Sequence, residues 1–135
     1  MGGSARLRVL LDTHIWLWIQ GEPTRLGRGL RQILNDPTNE LWLSPVSTWE
    51  ALVLHRKGRI EFRRTAADWV AHNTAPFREA PLTHEIAATA ENLSFQHRDP
   101  VDRFLAATAK VLGLTLATAD TKLLGLGDIA TLANR

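Results

Sequence analysis

Three short apolar runs constrain the fold of this chain most, because each is followed at once by a polar residue and a helical pattern. These runs read "RLRVLLD", "ELWLSPV" and "LTLATAD". Helical segments separate them, and "FREAPLT" and "IATLA" are predicted as two more short strands. Strands that alternate with helices indicate an α/β fold with a mostly parallel central sheet. Such folds place their ligand sites beyond the carboxyl ends of the strands.

Helical apolar spacing recurs between the strands, and glycine and proline mark where several of the helices end. We expect the first helix to end at Gly21 and Pro23, and the third to end near Gly58. The predicted helices read "THIWLWIQ", "RLGRGLRQILND", "STWEALVLHRKGRI", "TAADWVAHNTA", "HEIAATAENLSF", "DPVDRFLAATAKVLG" and "TKLLGLG".

The tryptophans of the first helix point to nearly opposite sides, because they are two residues apart. Trp18 shares a face with Ile15 and Ile19, which predicts that Trp18 enters the core. Trp16 is then the candidate for an apolar surface that a second subunit or another protein covers, although a core position for both remains open. The other tryptophans are expected to be core or half-buried: Trp42, Trp49 and Trp69.

Length and composition indicate one soluble domain. The 135 residues suffice for one hydrophobic core, and the absence of cysteine excludes disulfides and cysteine zinc sites. The start "MGGSARLRV" lacks the apolar region of a signal peptide, and no apolar run approaches the ~20 residues of a membrane span. We therefore expect a cytoplasmic protein with no membrane association. Its single domain is predicted over residues 8–135, after an extension over residues 1–7 that is natural or a cloning remnant.

Two acids follow strands of the predicted sheet. Asp12 ends the first strand, and Asp120 ends the strand "LTLATAD". Because parallel strands end at one edge of a sheet, we expect these two carboxylates to approach each other there. An aspartate after a strand can also cap the following helix, and position alone leaves both interpretations open.

Two more acids stand at predicted helix starts, where capping explains them equally well. In "STWE", Ser47 would be the N-cap and Glu50 the third helical residue of a capping box. In "DPVD", Asp99 would be the N-cap and Pro100 the first helical residue. Asp102 would then be the third, where an acid favours the helix dipole.

The four acids together indicate a metal site. Two unit charges 4 Å apart cost about 1 kcal/mol in water and about 4 kcal/mol at an effective dielectric of 20, so converging carboxylates need a cation. Mg²⁺ or Mn²⁺ is the ion that a site made only of oxygen ligands usually binds, and such sites commonly catalyse phosphoryl chemistry. The net charge of +2 permits binding of a polyanion without requiring it. This combination favours a nuclease.

Four motifs carry a resemblance to a known family. They read "LLDTHIWLW", "SPVSTWEA", "RDPVDRFLAATA" and "LTLATAD". In order, spacing and neighbouring residues they resemble the motifs of PIN-domain ribonucleases, and most of all VapC-type toxins of toxin–antitoxin pairs. The resemblance runs from about Val9 to Leu132. It implies a PIN-like three-layer α/β/α sandwich and endoribonuclease activity. It also implies a homodimer, and inhibition by a cognate antitoxin whose tail occupies the active-site groove, so that a hetero-oligomer is expected.

The resemblance also implies roles for individual residues. The ligands of Mg²⁺ or Mn²⁺, which are also the catalytic residues, would be Asp12, Glu50, Asp102 and Asp120. Asp99 would cap its helix and belong to the outer shell, together with Thr118. A water activated by the metal would then hydrolyse the RNA phosphodiester, leaving a 5′-phosphate and requiring no 2′-hydroxyl.

The basic residues allow several interpretations. Arg103 is predicted to form a surface salt bridge, to bind a phosphate or to pair with the acids. The stretch "HRKGR" is predicted to be solvated or to contact RNA or the antitoxin. The candidate RNA contacts in "HRKGR" are Arg56, Lys57 and Arg59. A solvated helix face, or RNA contact, is predicted for Arg25, Arg28 and Arg31. Packing or hydrogen bonding is expected of His14 and His97, which lack the spacing of a zinc helix.

Two other functions compete with a metal-dependent ribonuclease. A phosphohydrolase with a nucleophilic aspartate needs D-x-D at this strand end, and "DTH" has no second acid. A catalytically silent PIN-fold module that binds RNA or a protein is the main alternative. An intact set of acids speaks against it, because an idle cluster of like charges only costs stability.

Overall fold

The computed structural model describes residues 6–94 and 99–135, so His97 lies outside the described residues. Within these ranges, five strands form one sheet in the order β3–β2–β1–β4–β5, and every neighbouring pair is parallel. The strands are β1 (Arg8–Leu11), β2 (Glu40–Leu43), β3 (Arg78–Glu79), β4 (Thr115–Thr118) and β5 (Ala130–Ala133).

Helices cover both faces of the sheet. They are α1 (Thr13–Gly21), α2 (Arg28–Asn35), α3 (Pro45–Arg56), α4 (Ala66–Thr74), α5 (His84–Asn92), α6 (Pro100–Leu112) and α7 (Thr121–Leu124), with a 3-10 turn over Pro23–Arg25. Alternate residues of β1 point to opposite faces, and Val9 and Leu11 pack with α1, α2 and α4. Leu10 packs with α5, α6 and α7 on the other face. The expected three-layer α/β/α sandwich is confirmed.

The central strand β1 explains the position of Asp12. Val9, Leu10 and Leu11 are fully buried, as expected for a strand with helices on both sides. The backbone N–H of Asp12 donates to Ala117 O at 3.0 Å and so continues the pairing with β4 by one residue. Asp12 is therefore held by a rigid strand end in the middle of the sheet.

Helix α3 begins three residues earlier than the capping box predicted. Ser44 is the N-cap, and its Oγ accepts a hydrogen bond from Val46 N at 3.1 Å. Pro45 takes the first helical position, which suits a residue with a fixed φ and no N–H. The prediction that Ser47 caps this helix, with Glu50 in its first turn, is wrong. Glu50 lies more than a turn inside the helix, so its presence is not explained by capping.

The start of helix α6 agrees with the sequence. Asp99 is its N-cap and accepts a hydrogen bond from Val101 N at 3.0 Å, and Pro100 is the first helical residue. Asp102 occupies the third helical position, within the first turn. The helix ends at Gly113, whose φ of 65° is the left-handed conformation that glycine adopts at little cost.

The assignment of Trp16 and Trp18 is reversed in the structure. Trp16 is fully buried, its Nε1 donates to Asn73 O at 3.0 Å, and its ring meets Trp69 edge-on at 5.3 Å between centroids. Trp18 is half-buried, with the Arg25 guanidinium 4.5 Å from its ring centroid. Helix α4 supplies the partners of Trp16 from more than fifty residues away. The local pattern of α1 therefore did not reveal which tryptophan faces the core.

Trp49 also differs from its predicted place. Its side chain on α3 is 59% exposed, whereas Trp42 is half-buried and Trp69 is buried as expected. Trp42 lies near two guanidinium groups, those of Arg8 at 5.2 Å and Arg78 at 5.9 Å from its ring. The large apolar side chain of Trp49 thus reaches solvent one residue before Glu50.

The end of the described chain closes over the start of α2. Gly27 N donates to Asn134 Oδ1 at 2.7 Å, and Leu30 N donates to Arg135 O at 2.8 Å. Gly27 interrupts the helical pattern here, so Arg25 lies in the 3-10 turn and not on one helix face with Arg28 and Arg31, as the spacing had predicted.

Replacing Gly27 with alanine is expected to destabilise the protein by about 1–3 kcal/mol, the usual cost of overpacking. A Cβ at Gly27 would lie 1.9 Å from the backbone carbon of Arg135, so the C-terminal segment must move. Urea unfolding measures the change. Gly21→Ala is the matched control, since its Cβ would meet nothing within 4 Å, and it is expected to retain or slightly raise stability. Equal unfolding midpoints for Gly27→Ala and wild type would contradict the contact.

Among the described residues, every helix is too short or too polar to cross a membrane.

Candidate active site

Asp12 is a buried acid whose carboxylate faces another strand. Only 6% of the residue is exposed, and its Oδ2 accepts a hydrogen bond from Thr118 Oγ1 at 2.6 Å. It stands at the N-cap of α1, yet within the described residues its side chain forms no capping bond. The capping interpretation of Asp12 is therefore wrong. Burial raises the pKa of Asp12, while the Thr118 hydroxyl and the charge of His14 act in the opposite direction.

Asp120 lies at the end of the neighbouring strand β4 and is close to Asp12. Its Oδ1 accepts a hydrogen bond from Lys122 N at 2.9 Å, so it does cap α7, as one of the two interpretations predicted. Its backbone N–H donates to Thr118 Oγ1 at 3.0 Å. The negative charge of Asp120 contributes to the raised pKa of Asp12. Thr118 thus joins the two strand ends by bonding to the side chain of one acid and the backbone of the other.

Glu50 reaches the same region from α3. Burial raises its pKa most, and the negative charges of Asp99 and Asp12 raise it further. The Thr13 hydroxyl and the charge of His14 act on this pKa in the opposite direction. The structure therefore places Glu50 within electrostatic range of two other acids, one at a strand end and one at a helix start.

The first turn of α6 carries the remaining acids. Asp99 uses its carboxylate as the N-cap and is one of the charges that raise the pKa of Glu50. Asp102 is half-buried three residues later on the same turn. Its role as a metal ligand stays a prediction from the motif.

The chemistry of these side chains fits a hard divalent cation. In residues 6–94 and 99–135, no lysine or arginine forms an ion pair with Asp12 or Glu50. Two partly or fully buried carboxylates with raised pKa values gain stability from a cation, and carboxylate oxygens are the ligands that Mg²⁺ and Mn²⁺ prefer. The same described ranges contain no group of three or more His, Asp or Glu side chains already arranged to hold an ion.

Thr13, Ser47 and His14 were not identified as site residues by the sequence. His14 is exposed, and its charge acts on both Asp12 and Glu50, although packing or hydrogen bonding was predicted for it. Thr13 and Ser47 are fully buried and bond to each other at 2.8 Å between hydroxyl oxygens. The signal that could have found Thr13 and His14 is their position directly after Asp12 at a strand end.

Arg103 has a contact that the sequence did not suggest. Its Nη2 donates to three carbonyls at the end of α5, those of Ala90 at 2.7 Å, Glu91 at 3.3 Å and Leu93 at 3.4 Å. Cations are favoured at helix C-termini, where carbonyl groups lack helical partners. The side chain thus ties α6 to α5, and contact with a phosphate stays a prediction.

A basic cavity begins beside the acids. Arg56, Lys57 and Arg59 are exposed at the end of α3. Arg59 lines a cavity of about 840 Å³ that also has His14 in its wall. Further arginines line it from two other segments: Arg25, Arg63 and Arg64. Two acids, Glu22 and Glu61, also line this cavity, so arginines outnumber acids in its wall. His14 links the cavity to the site, because its charge acts on Asp12 and Glu50.

Comparison with known proteins supports the motif-based interpretation. A PIN domain family model matches residues 9–128. Ribonuclease VapC22 of Mycobacterium tuberculosis is 34% identical over 116 residues, which cover 85% of this chain and 88% of that protein. DNA-bound VapBC from Salmonella typhimurium has the same fold, with a TM-score of 0.72 at 14% identity over 96% of this chain and 99% of that chain. A toxin–antitoxin complex from Klebsiella pneumoniae has a TM-score of 0.68 at 16% identity over 94% and 98%.

Proposed function

Because the chain belongs to the PIN domain family, with a VapC ribonuclease among its relatives, we propose that it is a divalent-metal-dependent endoribonuclease and the toxin of a toxin–antitoxin pair. The observation that carries the proposal is the buried carboxylate of Asp12. It ends the central strand, lies within electrostatic range of Asp120 and Glu50, and has a raised pKa. Burying a carboxylate is costly, and a structural cap would not require it.

The residues proposed to hold the metal are Asp12, Glu50, Asp102 and Asp120. A bound Mg²⁺ or Mn²⁺ would lower the pKa of a water molecule and stabilise charge on the attacked phosphate. Asp12 and Asp120 supply carboxylates from neighbouring strand ends, and Thr118 keeps the first of them oriented. Asp99, whose carboxylate caps α6 and whose charge acts on Glu50, is proposed for the outer shell.

The proposed substrate is RNA, whose phosphates would meet the arginines of the basic cavity. Opposite charge attracts the backbone whatever its sequence, and four arginines line this one cavity. Arg56, Lys57 and Arg103 are proposed as further phosphate contacts. His14 lines the cavity and its charge acts on Glu50, which supports the proposal that an RNA strand held in the cavity by its phosphates passes the carboxylates.

A cognate antitoxin is the proposed partner. The Klebsiella pneumoniae structure with this fold is a toxin–antitoxin complex, which supports such a partner for this chain. We also propose a homodimer, and a hetero-oligomer when the antitoxin is bound. A toxin that cuts RNA acts where its substrate is, so the proposal places the chain in the cytoplasm.

Cleavage of labelled single-stranded RNA tests the function. Purified protein is expected to cut in 5 mM Mg²⁺ or Mn²⁺, to stop in excess EDTA and to cut again when metal is restored, since the water needs a metal to attack at neutral pH. Expression in bacteria without an antitoxin is expected to arrest growth, whereas Asp120→Asn is expected not to. Cleavage that persists in EDTA would refute the metal mechanism, and normal growth with the wild-type chain would refute the toxin.

A catalytically silent PIN-fold module that binds RNA or a protein is the alternative function. Such a module would bind RNA with or without Mg²⁺ and would leave it intact, so the same assay distinguishes the two functions.

A further inference from the structure

The ring of Trp18 lies in the wall of the basic cavity, where a guanidinium covers it. The Cζ atom of Arg25 is 4.5 Å from the centroid of this ring, and both side chains line the cavity. Arg25 also forms an ion pair with Glu22, at 3.5 Å between Nη1 and Oε2, yet 54% of the Arg25 side chain is exposed. The guanidinium is therefore held by an aromatic ring and a carboxylate, while part of it still faces the cavity.

The backbone of Arg25 is fixed as well. Asn134, which follows β5, donates from Nδ2 to Arg25 O at 2.9 Å, and its Oδ1 accepts a hydrogen bond from Gly27 N at 2.7 Å. The backbone N–H of Asn134 donates to Thr118 O at 3.2 Å, and the hydroxyl of Thr118 donates to Asp12. The turn that carries Arg25 is thus attached to the strand end that holds the acids. A ligand that meets a side chain already held in place binds at a lower cost in entropy.

The flat face of this guanidinium suits a nucleobase. Among the described residues, the guanidinium groups over an aromatic ring are those of Arg8, Arg25 and Arg78, and of these only Arg25 lines the cavity. Proteins stack the bases of single-stranded RNA on aromatic side chains and on guanidinium planes. A phosphate instead takes the N–H groups at the guanidinium edge, and Glu22 already occupies part of that edge.

We propose that Trp18 and Arg25 form a base-binding subsite, in which a nucleobase of single-stranded RNA stacks on the guanidinium that the indole ring supports. This inference rests on the proposed function and assigns one of the four cavity arginines to a base. Trp18 follows Asp12 by six residues, so at about 1.5 Å per helical residue the subsite lies about 9 Å along α1 from the proposed metal site. This spacing equals about three nucleotides of a stacked strand, at ~3.4 Å per nucleotide.

Contact with phosphates alone would give a different result. Each nucleotide carries a phosphate whether or not its base is present, so binding through charge does not depend on bases. Stacking requires the base, and one stacked base commonly contributes about 5–140-fold to the affinity for a single strand. The two kinds of contact are therefore separated by an RNA from which the bases have been removed.

Fluorescence anisotropy with two labelled RNAs tests the proposal. Both are short, unstructured and equally long, but one is abasic at every position, and EDTA prevents cleavage during the measurement. Wild type is expected to bind the base-bearing RNA at least about 5-fold more tightly than the abasic RNA. Arg25→Lys keeps the charge and removes the plane, and Trp18→Leu removes the supporting ring. Both are expected to lose most of this preference, with a much smaller effect on the abasic RNA.

Two matched controls separate stacking from charge and from packing. Arg64→Lys changes a second arginine of the same cavity, and it is expected to change binding of both RNAs by the same factor, because a lysine still meets a phosphate. Trp42→Leu removes a half-buried ring that also lies near guanidinium groups but does not line the cavity. It is expected to leave the preference for the base-bearing RNA unchanged.

Each outcome decides the inference. Equal losses for both RNAs in Arg25→Lys would assign this arginine to a phosphate and overturn the subsite, as would equal binding of both RNAs by wild type. Binding of neither RNA, as expected of a cavity that takes only an antitoxin peptide, would also overturn it. If Trp18→Leu does not fold, Arg25→Lys decides.

Failure of the proposed function looks different. A wild-type chain that prefers the base-bearing RNA and leaves it intact in Mg²⁺ or Mn²⁺, with the preference lost in Arg25→Lys, refutes the ribonuclease and supports the subsite. A chain that cuts RNA but binds both RNAs equally overturns the subsite and leaves the ribonuclease standing.

Discussion

Asp12→Asn is expected to lower RNA cleavage by more than about 100-fold while raising the thermal stability of the metal-free protein at neutral pH. The loss of cleavage follows because this carboxylate ends the central strand and is proposed to bind the metal directly. Replacing even an outer partner of a metal ligand commonly costs about 10–100-fold. The amide oxygen of asparagine can still accept the Thr118 hydroxyl, so the packing around it is retained. RNA cleavage and thermal unfolding, each on the same preparation, measure the two effects.

The gain in stability follows from the direction of the pKa shift. Burial raises the pKa of Asp12 in the folded chain, so the folded state binds this proton more tightly than the unfolded state does. The group contributes stability below its unfolded pKa, and this contribution is lost as the pH rises through the higher folded pKa. The pKa of Glu50 is also raised in the folded chain, so its contribution to stability is lost as the pH rises in the same way. The unfolding temperature of Asp12→Asn is therefore expected to exceed that of wild type increasingly between acid and neutral pH.

Asp36→Asn is the control for this pair of effects. Asp36 is exposed, and hydrogen bonds from Thr38 lower its pKa, the opposite direction to that of Asp12. Its charged form stabilises the fold at neutral pH, so the substitution is expected to leave cleavage unchanged and not to raise the unfolding temperature. If Asp12→Asn still cleaved RNA, the metal could not depend on the carboxylate at this strand end. An unfolding temperature below that of wild type at pH 7 would contradict the expectation that burying the charged Asp12 carboxylate destabilises the fold.

Trp16→Ala is expected to destabilise the protein by about 3–5 kcal/mol, the range for removing a large buried aromatic side chain. Trp16 is fully buried between the sheet and α4, meets the ring of Trp69 edge-on and donates to Asn73 O. The substitution leaves a cavity and removes the donor of that carbonyl. Trp49→Ala, the matched control, is expected to change stability by less than about 0.5 kcal/mol, because its side chain is 59% exposed.

Urea unfolding of both tryptophan variants measures this contrast. Similar losses of unfolding free energy in the two variants would show that Trp49 on α3 is buried against another surface in solution. A small loss for Trp16 would show that the packing of α4 on α1 contributes little to stability. RNA cleavage by Trp49→Ala, compared with wild type at equal folded fraction, adds an independent measure of the surface beside Glu50.

Much of the architecture could be predicted because its signals are local. The apolar run before Asp12 predicts a strand buried on both faces, and the strand β1 has that burial. The pair Asp99 and Pro100 predicts a helix start from the geometry of those two residues alone, and α6 begins there. Likewise Gly113 follows the last helical residue of α6 at the position where a left-handed conformation is favoured.

Competing local signals led to the errors. Both Ser44 and Ser47 can cap a helix. Ser44 is the N-cap because Pro45 fits the first helical position, and the Ser47 hydroxyl instead accepts a hydrogen bond from Thr13. Similarly, the choice between Trp16 and Trp18 depends on α4, which is distant in sequence. Pro45 is adjacent in sequence and carries the same local signal as Pro100, whereas Thr13 and α4 lie far from the residues that they contact.

The sequence by itself determined the order of strands and helices, the sheet edge at which Asp12 and Asp120 end their strands, and the helix that Asp99 caps. These features follow from periodicity and from the preferences of single residues for caps and turns. Only the tertiary structure decided that Thr118 bonds to Asp12, that Thr13 bonds to Ser47, and that Trp16 is buried. The physical reason is that each of these contacts joins segments distant in sequence, and packing of the layers selects which side chains meet.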